Sequence, residues 1–322
     1  MPAPRPFGPR VSYLHISKVG GASIVSEFRD HRAIPNFYPR FETGKEHTLL
    51  FDRSARPGWD RFTFLRNPRA HVWAMYTECK YDSNWNVSYG TDFPLGGVTA
   101  NGEASTWKNK GPERKPYQDT PSQDVDGFRR WVHHFAAHPD TAQSFKCYHP
   151  QNYQSQYLTL DMKNHPSNER VKVPNQQQAL QNMLGLDAIG ILEFFSESVC
   201  LIYSHIDGGR PRIDQLGCRC TEDGRDPIAF LDPPHVSHHR QGKRHDYDFE
   251  PGLMQMVDEL TKVDRAVYRQ ALAVFFCRMR AFEAWLGRRV LCDSALEKQQ
   301  HQLRFIEPNL LARYTATTPC HH

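Results

Sequence analysis

The sequence predicts an α/β protein with a parallel sheet that is covered by helices on both faces. Short apolar runs alternate with amphipathic segments along the chain, and two of these runs lead directly into helix starts. The 322 residues, of which 39% are hydrophobic, suffice for a substantial core. We expect a flexible lead-in at 1–10, a single domain at 11–289 and a weakly patterned tail at 290–322.

The first strand-to-helix junction follows an apolar run at 13–16, which predicts a short buried strand. Gly20 and Gly21 allow backbone conformations that other residues avoid, and Ser23 lies at the start of the next helix. The N–H groups at that helix start and the charge of Lys18 together form a candidate anion site. An ordinary glycine turn with a solvated lysine is the alternative that these residues leave open.

The second junction follows an apolar run at 62–65, which predicts another buried strand. Arg66 lies at the carboxyl end of this strand, and Pro68 opens a helix. In open α/β sheets, ligands bind at the carboxyl ends of strands. We therefore expect Lys18 and Arg66 to converge on one anion, with a structural ion pair as the alternative role for Arg66.

The remaining elements follow from local pattern. The polar, Pro-broken segment 31–46 predicts a loop, and 47–52 predicts a short strand that His47 opens. The long aromatic-rich segment 80–126 predicts an insertion that packs on the substrate side. Further on, the spacing predicts helices at 128–135, 151–160 and 251–286, a strand and helix over 189–202, and a long loop at 207–250.

Composition limits the partners. The formal net charge of +4 suits an anionic ligand but falls short of the basic stripes that bind nucleic acid. No apolar run is long enough to span a bilayer, so we expect no membrane segment in this chain.

Eight cysteines permit disulfides without requiring them in a chain of this length. Cys200 and Cys277 lie in apolar patterns, which favours plain core residues. Cys218 and Cys220, followed by several histidines, suggest zinc, but their spacing differs from a C-x-x-C half-site. We therefore expect no metal.

The residues of both junctions resemble signatures of the PAPS-dependent sulfotransferases, especially the carbohydrate-type families. The segment 14–23, LHISKVGGAS, is similar to HIPKTGGTS, which in that family holds the 5′-phosphosulfate end of the donor. The segment 64–68, FLRNP, is similar to the second signature, whose arginine binds the 3′-phosphate. The segment 47–52, HTLLFD, resembles the one that carries the catalytic base in the uronyl 2-O-sulfotransferase branch.

Three weaker similarities follow along the chain. NYQSQYL at 152–158 resembles the family's Asn-x-Gln-Thr-x-x-Leu helix, and GILE at 190–193 resembles its Gly-x-x-Glu strand end. Asp264 with Tyr268 resembles its Asp-x-x-x-Tyr helix. The resemblance implies a P-loop-NTPase-like three-layer fold with a central parallel sheet flanked by helices.

The resemblance also implies a reaction in which PAPS donates a sulfuryl group to a hydroxyl of a carbohydrate or small molecule and PAP is released, without a metal. Lys18 would stabilise the leaving phosphate oxygen, Arg66 would bind the 3′-phosphate, and His47 would take the acceptor proton. His15, His71 and Glu193 are the alternatives for the base. The implied donor-binding residues are Ser17, Lys18, Gly20, Gly21, Ala22, Ser23, Arg66 and Arg240.

The chain departs from the family pattern at several positions. Ser17, Val19 and Ala22 replace a proline and two threonines in the first signature. Ala74 replaces a serine that contacts the 3′-phosphate. Either Arg240, Lys243 or Ser237 supplies that contact, or the affinity for the donor is reduced. These departures leave open a non-catalytic member of the same fold that binds a nucleotide or a glycan.

A kinase-like reading fits less well, because a Walker A loop carries its lysine after the glycines, whereas Lys18 precedes them. The aromatic segment 80–126 favours a small acceptor over a carbohydrate. The expected location is cytoplasmic as the sequence stands, or the Golgi lumen if an N-terminal membrane anchor precedes it.

Overall fold

The computed structural model of the chain describes residues 10–29, 40–43, 58–81, 125–137, 148–159, 173–207, 210–221 and 249–315. These residues form a mixed α/β protein that is mostly helical and contains a small open parallel sheet. They divide into two compact structural units. Unit 1 takes its residues from 1–67, 177–235 and 266–322, and unit 2 takes its residues from 68–176 and 236–265.

The sheet belongs to unit 1. Its strands are β1 (Arg10–Leu14), β2 (Arg40–Thr43), β3 (Asp60–Leu65) and β4 (Ala188–Ile191). They are parallel and follow the order β2-β1-β3-β4, with Tyr13 opposite Phe62 and Phe64 opposite Gly190. The carboxyl ends of β1 and β3 are therefore neighbours, as the two-junction prediction requires. β2 lies inside 31–46, so the loop predicted there is wrong over these four residues.

The α-helices confirm most of the helical predictions. In chain order they are α1 (Gly21–Arg29), α2 (Pro68–Tyr81), α3 (Val125–Ala137), α4 (Tyr153–Thr159), α5 (Gln176–Leu184), α6 (Phe195–Asp207), α7 (Arg210–Gln215), α8 (Pro251–Leu260), α9 (Lys262–Leu286), α10 (Asp293–Leu303) and α11 (Leu310–Thr315). A 3₁₀ turn at Leu192–Phe194 connects β4 to α6. Pro68 is the first residue of α2, where its fixed φ and missing N–H are tolerated. α7 lies within 207–250, where we expected only loop.

An aromatic stack fixes α1 against the sheet in unit 1. The Phe62 ring lies 5.1 Å from Tyr13 of β1 and 5.0 Å from Phe28 of α1, measured between ring centroids. Phe28 in turn lies 4.8 Å from Tyr203 of α6. All four side chains are buried, and burying an aromatic side chain of this size contributes about 1.5–3 kcal/mol. This packing holds the C-terminal part of α1 against the sheet and α6.

The chain beyond residue 290 is folded as far as it is described, although we expected a weakly patterned tail. α10 and α11 belong to unit 1, and Leu296, Leu303, Leu310 and Tyr314 are buried there. Polar residues dominate the sequence of α10, which explains why its apolar face is hard to see in the sequence.

Disulfides connect parts of unit 1. Cys200 bonds Cys218, 18 residues on, and Cys220 bonds Cys292, 72 residues on. On a chain-entropy estimate, loops of this size give about 3 and about 4.5 kcal/mol of stabilisation. Cys277 is disulfide-bonded as well, so the interpretation of Cys200 and Cys277 as plain core residues is wrong. Cys218 and Cys220 each bond a different cysteine, which excludes the zinc interpretation of this pair.

In unit 2, α4 and the start of α9 cap each other. The Asn152 side-chain oxygen accepts hydrogen bonds from the backbone N–H groups of Val263 (2.8 Å) and Asp264 (3.3 Å). The Asp264 carboxylate accepts them from the N–H groups of Gln154 (3.2 Å) and Ser155 (2.7 Å). Each side chain thus satisfies N–H groups that a helix start leaves without an intrahelical partner.

Candidate functional site

The β1–α1 junction adopts the conformation of a strained turn. Lys18 has a φ of +64° and Gly20 a φ of +84°. A left-handed conformation is uncommon for a residue other than glycine, and such strain clusters at functional sites. The hydrogen bond from Ile24 N to Gly20 O (3.0 Å) opens the helical pattern, so the N–H groups of Gly21 to Ser23 lie at the positive end of α1.

Close packing explains both glycines of this turn. A Cβ atom at Gly20 would lie 2.6 Å from a methyl group of Leu192, and one at Gly21 would lie 1.7 Å from Nε2 of His15. The His15 ring also stacks on Tyr13 with 5.4 Å between ring centroids. His15, one of the alternative bases, therefore packs directly against the first residue of α1.

The second junction contacts the first. Arg66, at the end of β3, donates a hydrogen bond from Nη1 to the backbone oxygen of Lys18 (3.0 Å). The guanidinium has five N–H donors, so this bond engages only part of it. The structure thus brings together Lys18 and Arg66, the two residues that the sequence nominated from separate motifs.

A partly buried carboxylate lies near Arg66. Glu193, in the 3₁₀ turn after β4, accepts hydrogen bonds from Asn67 N at Oε1 (2.8 Å) and from the Tyr268 hydroxyl at Oε2 (2.7 Å). Burial raises the pKa of Glu193, while its hydrogen bonds and the positive charge of Arg66 oppose that rise. Burial, followed by the negative charge of Glu193, raises the pKa of Tyr268 well above its ordinary value.

Sequence reasoning missed this connection. It named Glu193 only as an alternative base and Tyr268 only within a weak similarity. Their contact spans 75 residues of sequence, so no local pattern predicts it. The available signal for this contact was that two fragments, GILE at 190–193 and Asp264 with Tyr268, resemble segments of the same family.

The other predicted residues lie in the β1–α1 junction, in unit 2 or outside the described residues. Ser17 is buried, and Ala22 lies in the first turn of α1. His71 and Ala74 are buried on α2 in unit 2, where the His71 ring lies 5.8 Å from that of Tyr153. The residues predicted as base and as additional phosphate contacts, His47, Arg240, Lys243 and Ser237, lie outside the described residues.

The chemistry of the junction suits an anion. Two cationic residues and the N–H groups of a helix start meet at one edge of a parallel sheet. Across the described ranges, no group of three or more histidine, cysteine, aspartate or glutamate residues is arranged to hold a metal ion. Among the described helices, none combines the length and apolarity needed to cross a membrane.

Comparison with known proteins identifies no relative. No protein-family model matches the chain, and no curated protein and no solved structure matches it. The fold and the junction therefore define the class of protein by themselves: an α/β protein with a candidate anion-binding edge.

Proposed function

We propose that this protein is a PAPS-dependent sulfotransferase that transfers a sulfuryl group to a hydroxyl of a carbohydrate or small molecule and releases PAP. The hydrogen bond from Arg66 to the Lys18 carbonyl carries the proposal, because it joins the two segments that resemble the donor-binding signatures. The parallel order of β1, β3 and β4 is compatible with the P-loop-NTPase-like three-layer fold that belongs to this proposal.

Donor binding would divide between the two junctions. Lys18 and the N–H groups of Gly21 to Ser23 would hold the 5′-phosphosulfate, since a helix start and a cation both favour an anion. Arg66, whose Nη1 binds the Lys18 carbonyl, would hold the 3′-phosphate, because a planar guanidinium suits a bidentate contact to phosphate. The left-handed Lys18 supports this assignment, because its strained backbone orients the carbonyl that Arg66 binds.

Transfer would proceed in line. The acceptor oxygen forms a bond to sulfur while the bond from sulfur to the 5′-phosphate oxygen breaks, and Lys18 stabilises the charge on that leaving oxygen. The hydroxyl proton passes to His47 as general base. His15 is the stronger alternative among the described residues, because both carboxylate oxygens of Glu193 already accept hydrogen bonds.

We also place this activity in an oxidising compartment. The disulfides Cys200–Cys218 and Cys220–Cys292 support this location, since disulfides persist where thiols are not kept reduced. The Golgi lumen is the compartment that the sulfotransferase resemblance implies. Free thiols at these four positions in protein taken from its native cell would contradict the assignment.

Thermal-shift and calorimetric titration with PAP and with ATP test the donor site. PAP should raise the melting temperature of the wild type and of Lys298→Ala, an exposed-lysine control on α10, and should lose this effect in Lys18→Ala. An equal response to ATP, or no response to PAP, rejects the donor site.

A labelled-sulfate transfer screen across sugars and phenols then separates the enzyme from the alternative, a non-catalytic nucleotide- or glycan-binding protein. Transfer that His47→Ala abolishes, with PAP binding retained, supports the base. PAP binding without transfer to any acceptor favours the non-catalytic alternative.

A further inference from the structure

We propose that Glu193 and Tyr268 are positioning residues that hold Arg66 in the orientation in which it receives the 3′-phosphate of the donor. This inference rests on the proposed function and assigns to the same site two residues that would not touch the substrate. Its basis is a set of contacts within unit 1: Tyr268 binds Glu193, Glu193 binds the backbone of Asn67 next to Arg66, and Arg66 binds the Lys18 carbonyl.

The first step fixes the backbone next to Arg66. Glu193 follows β4, and β4 pairs with β3, so its carboxylate reaches the end of the neighbouring strand. There Oε1 accepts the N–H of Asn67 (2.8 Å). The Asn67 side chain is also bound, because its Nδ2 donates to the carbonyl of Gln302 (3.0 Å). The residue after Arg66 is thus held through both its backbone and its side chain.

The second step fixes the carboxylate itself. The Tyr268 hydroxyl donates to Oε2 of Glu193 (2.7 Å), and the Tyr268 ring is buried on α9. A carboxylate that is partly shielded from water requires hydrogen-bond donors, and here each oxygen of Glu193 has one. Because the ring cannot move without disturbing the core, the position of the hydroxyl determines that of the carboxylate.

The third step concerns charge. The positive charge of Arg66 opposes the rise that burial causes in the pKa of Glu193 and of Tyr268, so the guanidinium lies within electrostatic range of the pair. Glu193 therefore attracts the guanidinium from the side of β4, while the Lys18 carbonyl binds Nη1. With Nη1 bound to the Lys18 carbonyl and the next residue held by Glu193, the Arg66 guanidinium would keep one orientation, which suits a planar, bidentate contact to phosphate.

A pair of nucleotides isolates the predicted effect. PAP carries the 3′-phosphate that Arg66 would bind, whereas AMP lacks it and shares the adenosine 5′-phosphate. Calorimetry gives the affinity ratio of PAP to AMP for the wild type, Tyr268→Phe, Glu193→Gln and Tyr314→Phe. The last is a matched control, since Tyr314 is also a buried tyrosine of unit 1 that donates to a glutamate, Glu283.

We expect Tyr268→Phe and Glu193→Gln each to lower PAP affinity by about tenfold, because the first removes the hydrogen bond that fixes Glu193 and the second removes the negative charge near Arg66, while AMP affinity stays unchanged. Tyr314→Phe should leave the ratio unchanged. In an Arg66→Met background, Tyr268→Phe should change the ratio no further, because the residue through which it acts is absent.

Three outcomes overturn the inference. The first is an equal loss of affinity for PAP and AMP in Tyr268→Phe, and the second is an unchanged affinity ratio in both Tyr268→Phe and Glu193→Gln. The third is that Tyr268→Phe changes the ratio as much in the Arg66→Met background as in the wild type. If Tyr268→Phe does not fold, Glu193→Gln and its combination with Arg66→Met give the same test. A wild-type protein that binds PAP no more tightly than AMP rejects the proposed donor site itself, and the inference with it.

Discussion

In the described part of unit 1, two buried tyrosines donate to glutamates, and the two pairs lie in different surroundings. Glu193 accepts from the Tyr268 hydroxyl and from Asn67 N at the end of β3. Glu283 accepts from the Tyr314 hydroxyl and from the N–H groups of Val290 (2.7 Å) and Leu291 (2.8 Å) after α9. Both carboxylates thus bind one tyrosine hydroxyl and fix a segment of backbone.

The neighbouring arginine distinguishes the two pairs. Arg289 lies beside Glu283, with Nε 3.6 Å from Oε1, and it also binds Asp293 (2.9 Å) and the carbonyl of Leu291 (2.7 Å). Arg289 therefore helps to hold the C-terminal segment in place. Arg66 instead binds the strained turn at Lys18. Both tyrosine–glutamate pairs therefore fix a segment of backbone. Their roles differ because one segment lies next to the candidate anion site and the other belongs to the C-terminal part of the fold.

The largest expected effect is on the structural pair. Glu283→Ala leaves two backbone N–H groups and a tyrosine hydroxyl buried without their acceptor, so the free energy of unfolding should fall by about 3–5 kcal/mol. Urea unfolding measures this loss. PAP affinity of the folded fraction should not change. A change would mean that Glu283 also affects the donor site, and the two pairs would then not differ in function.

Replacing each neighbouring arginine by methionine should show that only one of the two pairs affects ligand affinity. Arg66→Met removes the predicted 3′-phosphate contact, and we expect PAP affinity to fall by about 100-fold. Arg289→Met should leave PAP affinity unchanged, because Arg289 binds the C-terminal segment. Calorimetry measures both variants, and similar losses in the two would remove the functional distinction between them.

Asp264, a buried carboxylate of unit 2 without a tyrosine donor, extends the comparison to pH. Burial raises its pKa to about 6, against the hydrogen bonds from Ser155 and Gln154. The native state therefore binds its proton more tightly than the unfolded state, and this contribution to stability is complete below about pH 4 and lost as the pH rises through about 6.

Asp264→Asn should remove that dependence. Between pH 4 and pH 7 the free energy of unfolding of the wild type should fall by about 2 kcal/mol more than that of the variant, as measured by urea unfolding at each pH. The exposed substitution Asp293→Asn serves as the control and should follow the wild type. Parallel curves of stability against pH for the wild type and Asp264→Asn would show that Asp264 has the same pKa in the native and the unfolded state.

The smallest expected effect is that of Tyr314→Phe on stability. The variant removes one hydrogen bond to Glu283 but leaves both backbone donors, so the free energy of unfolding should fall by about 1–2 kcal/mol. Thermal unfolding measures it. A loss as large as that of Glu283→Ala would mean that the tyrosine, and not the backbone, dominates this pair.

The sequence predicted the elements whose residues carry the signal locally. The runs at 13–16 and 62–65 are apolar, and Pro68 marks a helix start, so β1, β3 and α2 follow from pattern. β2, with the sequence RFET, has no such run and depends on its pairing with β1. Neighbouring context, not local propensity, makes it a strand.

The same limit applies to the candidate site. The convergence of Lys18 and Arg66 could be predicted because two junctions at parallel strand ends must share an edge. The support from Tyr268 through Glu193 could not, since a contact across 75 residues depends on how α9 packs. The pairing of Cys200 with Cys218 and of Cys220 with Cys292 depends on packing in the same way.

The mutual capping of α4 and α9 has a consequence for hydrogen exchange. Asn152 protects the amides of Val263 and Asp264, while Asp264 protects those of Gln154 and Ser155. Neither helix start can open without exposing the acceptor that shields the other. These four amides should therefore exchange with solvent through one shared opening event and report a single opening free energy, although more than 100 residues separate them along the chain.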